Sequence, residues 1–335
     1  MEPSYSLSQI LSTPQSENEV FSIRWSPDDS HIASGCSDGT VKLYSAQYGT
    51  IIRSMNCRLT AETYPVTSIR WRPDKGIGKT KNVLLATTCD GGVLHWHASS
   101  GKILHSLKIP DNQALSSDYN TEGTYFAIGC KDRSLKVYDE GTKEKIADLT
   151  GGDHQHLGHD NRIMSVKFID HNYILSGGWD NNVLIWDMRN TQVIRTFYGP
   201  RVYGDSLDVK GDTILAGSYN IEEQVQLWMM SEGRCFFSSN LSLGEKSCMA
   251  YTAQFSKSDN GRVFAVGGIG STQVYLFDTE NKSIAASISN IAKPVFSVDF
   301  ANFSENLAVG SGDGSVRVYR YREGVEPTEQ TDLED

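Results

Sequence analysis

A chain of 335 residues, 39% hydrophobic and 21% charged with 30 glycines, can bury a sizeable core, and its composition excludes a chain that stays disordered. The 31 Lys and Arg against 41 Asp and Glu leave a formal charge of −10, so the balance speaks against a protein built to grip nucleic acid. No apolar run reaches the roughly eighteen residues of a membrane span, and the six cysteines show no C-x-x-C spacing, so neither membrane, metal nor other cofactor is expected.

The N-terminal "MEPSYSLSQILSTPQSENE" lacks the basic and apolar regions of a leader, which with the scattered cysteines predicts a soluble intracellular protein, cytoplasmic or nuclear. Within it "SYSLSQIL", Ser4 to Leu11, reads as a lone strand. From Val20 onward a strand opening recurs as "VFSIRW", "VTSIRW" from Val66, "IMSVKF" from Ile163 and "VFSVDF" from Val295. Weaker copies are "ALSSDY" from Ala114, "GDSLDV" from Gly204 and "AYTAQF" from Ala250, which makes seven. The cluster Arg70, Arg72, Lys75, Lys79 and Lys81, just after the second opening, reads as a solvated loop.

Each opening is followed by a short apolar strand, a tight turn and a strand ending in an aromatic, as in "IASGCSDGTVKLY" and "ILSGGWDNNVLIW". Asp38-Gly39, Asp90-Gly91 and Asp313-Gly314 supply turns that need positive φ, and Asp180-Asn181 can do the same. The closing aromatics are Tyr44, Trp96, Tyr138, Trp186, Trp228, Phe277 and Tyr319, spaced 42 to 52 residues apart. Strands apolar on one face and aromatic on the other are buried on both, as in sheets stacked radially.

The repeat resembles that of the WD-repeat β-propellers, most closely in the fourth copy, which keeps "GH" at Gly158-His159 and "WD" at Trp186-Asp187. The expectation is an all-β, seven-bladed propeller of four-stranded antiparallel blades spanning 1–324. Blades fall near 20–55, 66–109, 114–150, 159–198, 203–243, 250–290 and 295–322, and the seventh borrows 4–11 as its missing fourth strand. Such closure leaves no open sheet edge, and residues 325–335 are expected to be a disordered acidic tail.

Ser176, His159 and Asp180 are the residue types of a hydrolytic triad, but "LSGGW" lacks a nucleophile elbow, and Ser34 and Asp38 repeat the pair in blade one. The resemblance implies instead that His159, Ser176, Asp180 and Trp186 form a structural network and that there are no catalytic residues. His154 and His156 beside His159 lack further ligands at metal spacing. "GGIGST", Gly267 to Thr272, precedes a strand and so is no phosphate loop.

The family likeness also implies a partner face at one mouth of the channel. Two positions per blade should reach it: the start of the inner strand, and the residue before the turn acid. Among them Phe21, Met164, Trp179, Tyr219, Tyr251 and Phe296 are the side chains expected to bind a peptide or loop of a protein partner in a larger complex. Two other classes remain: a substrate receptor of a cullin-RING ubiquitin ligase, from the box "WDMR" at Trp186 to Arg189, and a hydrolase.

Overall fold

The turn acids organise the hairpins. Asp38 Oδ1 accepts hydrogen bonds from the Thr40 amide at 3.0 Å and its hydroxyl at 2.6 Å, while Gly39 takes φ 75°. Asp132 holds Ser134 and Asp313 holds Ser315 in the same manner, and Asn181 supplies the positive φ after Asp180. With Asn220 and Gly270 in place of the acid in blades five and six, such hairpins build seven four-stranded antiparallel sheets in the computed structural model. It describes residues 5–74, 81–151, 157–243, 246–270, 274–289 and 291–324, and no helix occurs among them.

Blade one runs Val20–Trp25, His31–Cys36, Thr40–Ser45 and Ile51–Asn56, from channel to rim, and the others follow the same order. Blade seven contributes Val295–Phe300, Asn306–Ser311 and Val316–Glu323, and its outer strand is Tyr5–Ser12, antiparallel to Val316–Glu323. In blades one to six the outer strand bulges opposite the closing aromatic, leaving Ile52 unpaired in blade one and Ile194 in blade four. The N-terminal strand reproduces the bulge at Ile10, so it fills a fourth-strand position in geometry as well as in place. Ser4 and the tail 325–335 lie outside the described residues.

The apolar core is not inside the blades but between them. Seven clusters of buried side chains occur, one for each blade–blade contact, the last joining Val20, Ile23 and Trp25 of blade one to Ala308, Val316 and Val318 of blade seven. Glycine before the turn allows this approach: a Cβ on Gly35 would sit 2.6 Å from Val66 Cγ1, and one on Gly310 2.6 Å from Val20 Cγ1. Cys36, Cys57, Cys130 and Cys248 are buried, and all six cysteines are free thiols.

Two expectations need correction. The opening "GDSLDV" enters its strand only at Leu207, because Gly204 to Ser206 form a tight turn (Ser206 N–H to Gly204 O, 2.8 Å) pressed against Tyr251. The basic cluster is not one solvated loop. Arg70 is 6% exposed inside the channel, and Arg72 bonds the buried Glu140 at 3.2 Å. Lys81 alone fits the solvated reading, while Lys75 and Lys79 lie outside the described residues.

Candidate functional site

The six expected contact residues are positioned by two repeated devices. In six blades the pairing of the first two strands slips by one residue near its start, leaving Phe21, Thr67, Leu115, Met164, Tyr251 and Phe296 as unpaired bulge residues. A bulge re-aims its side chain away from the sheet's normal alternation, and all six are half-buried at the channel mouth. Blade five has no bulge and offers Asp205 there. The second device is a backbone hydrogen bond from the residue before the turn acid to the loop leading into the inner strand. It recurs as Ser37 to Glu19, Cys89 to Pro65, Lys131 to Gln113, Trp179 to Arg162, Tyr219 to Arg201 and Gly312 to Pro294.

These devices bring the aromatics to one end of the ring in two groups. Phe296 touches Phe21 and Tyr251, each at 5.2 Å between ring centroids. Across the mouth, Trp179, Tyr203 and Tyr219 form a stacked column, with separations of 4.4 and 4.1 Å. Tyr203, in the loop before blade five's inner strand, escaped the sequence reading because no repeat position carries it. Beside the first group lies a cavity of about 280 Å³, lined by Phe21, Pro65, Leu115, Met164 and Tyr251 together with Ser116 and Asp205. Burial pushes the Tyr251 phenol up to about 12, so it stays a hydrogen-bond donor. The Ser116 hydroxyl is buried with no hydrogen-bond partner among the described residues.

The inner strands also carry a layer of charged and polar side chains. One position of each inner strand, two residues after the serine or threonine of its opening, points inward: Arg24, Arg70, Asp118, Lys167, Asp208, Gln254 and Asp299. Arg70 Nη2 meets Asp205 at 2.8 Å and its Nε meets Asp118 at 3.2 Å; Arg24 also bonds Asp205. Asp118, Asp208, Gln254 and Asp299 each accept an amide of the next blade's inner strand, at 2.7 to 2.9 Å. The signal for this ring stood in the sequence, since R, R, D, K, D, Q and D share one repeat position.

The four residues His159, Ser176, Asp180 and Trp186 meet in blade four, away from the cavity. Trp186 Nε1 donates to Ser176 Oγ at 2.7 Å, His159 Nε2 lies 2.7 Å from the same oxygen, and His159 Nδ1 lies 2.8 Å from Asp180 Oδ2. One proton arrangement satisfies them all: Ser176 donates to Nε2, and Nδ1–H donates to Asp180. Burial pushes the Asp180 carboxyl up, but the His159 bond and the amides of Asp160 and Asn182 hold it below its ordinary value. Ser176 and His159 are fully buried, with the hydroxyl and both ring nitrogens engaged within the network. No group of three or more potential metal ligands occurs among the described residues, and His154 and His156 lie outside them.

At the opposite end of blade four, Arg189 forms a two-pronged pair with Asp187 (2.9 and 2.7 Å) and reaches the Tyr173 hydroxyl at 3.0 Å. A local acid therefore employs the arginine of the "WDMR" box, although its side chain remains 60% exposed.

Comparison with known proteins agrees with this geometry. The family model of the anaphase-promoting complex subunit 4 WD40 domain matches residues 5–74, and that of the WD domain, G-beta repeat, matches 152–187 and 286–320. A U3 snoRNP-associated protein-like EMB2271 of Arabidopsis thaliana is 27% identical over 70% of this chain and 53% of its own length. A p21-activated protein kinase-interacting protein 1-like of Danio rerio is 26% identical over 60% of the chain and 50% of its own. Human Coronin-2A is 26% identical over 52% and 34%. The chain thus spans about half the length of these relatives or less, and no helix among the described residues is long and apolar enough to cross a membrane. The matched repeats fall on the fourth and seventh blades of a ring whose hairpins, inter-blade cores and borrowed outer strand all follow one plan, and on that footing the chain belongs to the WD-repeat family of β-propeller proteins.

Proposed function

We propose that this propeller is a non-catalytic platform that holds a peptide or loop of a protein partner at its aromatic mouth, as a subunit of a larger complex. The observation that carries this reading is the apolar cavity at the mouth, lined by Phe21, Leu115, Met164 and Tyr251 from four different blades, with Phe296 against Phe21 and Tyr251 and the Trp179–Tyr203–Tyr219 column on blades four and five. Aromatic and methionine side chains that are half-buried yet rimmed by polar groups are the usual anchors of an interface. The printed names of two relatives, one snoRNP-associated and one kinase-interacting, describe proteins of assemblies, which supports the same class of role.

The full burial of Ser176 and His159 supports the non-catalytic half of the reading, and the pairing of Arg189 with Asp187 gives the arginine of the ligase-receptor box a local structural role. The test is quantitative capture from native extract with the intact chain and with Trp179→Ala, Phe296→Ala and Phe303→Ala. Phe303 is 78% exposed on the opposite face and serves as control. Partners lost with both mouth variants and kept with the control are expected, typically with affinities down about thirtyfold. Equal retention by the mouth variants would move the interface elsewhere.

A further inference from the structure

Four cations stand on the turns and loops of blades three to five at the same mouth: Lys131, Arg133, Arg162 and Arg201. On a chain of charge −10 such a group is unexpected, and none of them has a carboxylate within ion-pair distance among the described residues. The turn acids of blades two to four are engaged already, Asp90 by Lys108, Asp132 by Lys136 and Asp180 by His159, and Asp111 and Asp160 in the adjoining loops form an ion pair with none of the four cations. The two arginines are held without being neutralised. Arg162 lies 4.2 Å over the Trp179 ring, and Arg201 lies 5.3 Å over Tyr203, the next ring of the column.

Stacking fixes a guanidinium plane while leaving its N–H groups free for an acceptor. Three buried donors here have no hydrogen-bond partner among the described residues: Arg162 Nε, Arg201 Nε and Trp179 Nε1. Buried donors ordinarily find acceptors, and an anion supplies several at once. Cys89 lines the apolar cavity, and although burial and Asp90 push its thiol up, Lys131 and Arg162 both draw it down, which sets these two cations beside the cavity.

Resting on the platform reading above, we propose that the partner segment is an acidic peptide, whose carboxylate or phosphate is clamped by Arg162 and Arg201 on the Trp179–Tyr203–Tyr219 column while a neighbouring apolar side chain fills the cavity. A planar fork suits either oxyanion and makes the contact charge-assisted.

The test pans a random peptide display library on the intact chain, then measures selected peptides by calorimetry. Enrichment of Asp or Glu next to an apolar residue is expected, with affinity falling about tenfold or more in Arg162→Gln/Arg201→Gln and unaffected in Phe303→Ala. Raised salt should weaken binding. Replacing the enriched acid by serine, glutamate or phosphoserine separates carboxylate from phosphate recognition. An unchanged melting curve for the double variant ties the loss to the contact. Peptides without acids that depend on Phe296 but not on the arginines would overturn this proposal and leave the platform standing; recovery of no mouth-dependent peptide would overturn both. A several-fold gain in affinity on removing 325–335 would assign the clamp to the chain's own acidic tail and overturn the partner assignment.

Discussion

At the scale of single residues, the blade-four network joins a set of catalytic residue types in one buried chain of hydrogen bonds, for which we propose a structural role. Ser176 Oγ is the meeting point of an indole N–H and an imidazole, and His159 passes the chain on to Asp180. Replacing Asp180 by alanine strands a buried Nδ1–H and the Asp160 amide, and should destabilise the chain by about 1–3 kcal/mol in chemical denaturation. Because the folded-state carboxyl lies below its ordinary value, its contribution is complete above that value and fades as pH falls through the lowered one. The variant should therefore converge on the parent in acid. A variant of unchanged stability, or one that loses a measurable hydrolysis, would reverse the assignment. These four residues were legible because the repeat marks them. The buried Glu140, by contrast, gathers His95, Tyr119, Arg72 and Lys143 from two blades, and burial's upward push is overcome until its carboxyl sits at about 2. No motif announces it, since its partners share no repeat position.

At the scale of elements, periodicity and turn chemistry made nearly every strand readable, and the exceptions have local causes. Blade five's inner strand is short because Gly204 must pass within van der Waals contact of Tyr251, a tertiary constraint that a strand-like pattern cannot encode. The bulges are likewise invisible as an alternation of polar and apolar residues, yet they decide where Phe21 and Phe296 point. The borrowed strand was legible by subtraction, as the one fourth strand missing after Tyr319. It buries Tyr5 against Tyr321 and packs Leu7 on the blade-six and blade-seven core, while Thr13 exchanges hydrogen bonds of 2.9 Å with Val316. Deleting residues 1–12 exposes the edge of Val316–Glu323 and should lower the melting temperature by several degrees or cause aggregation. Removal of 327–335 serves as the comparison and should leave the melt unchanged. Equal melts for both truncations would show that closure does not depend on this strand.

At the scale of the whole molecule, the ring is held twice: by apolar clusters between blades and by the seven inward side chains of the channel. Serine and threonine at the layer above add amide clasps from one blade to the next, as from Ile23 N–H to Ser297 and from Val298 N–H to Thr252. The charged layer carries a cost as well as a benefit. Lys167 lies 3.8 Å from Asp208 and 4.0 Å from Asp205, too far for a tight pair, with Arg24 and Arg70 also in the channel. Burial lowers its ammonium to about 8 from 10.5, against the pull of Asp208 and Asp118 and with the repulsion of Arg70 and Arg24. A base lowered by folding weakens the folded state wherever it must be protonated. The cost is complete below about pH 8, shrinks as pH rises, and is gone above the unfolded value of 10.5. Lys167→Met removes that titration, so its stability relative to the parent should fall by on the order of 1–3 kcal/mol between pH 8 and 10.5. Taking the difference cancels the tyrosines, which titrate alike in both proteins. Denaturant midpoints for the two chains across that range, converted with matched slopes, make the comparison. A difference that stays constant with pH would mean that Lys167 keeps its ordinary affinity for the proton, and that the channel is wet enough to solvate it.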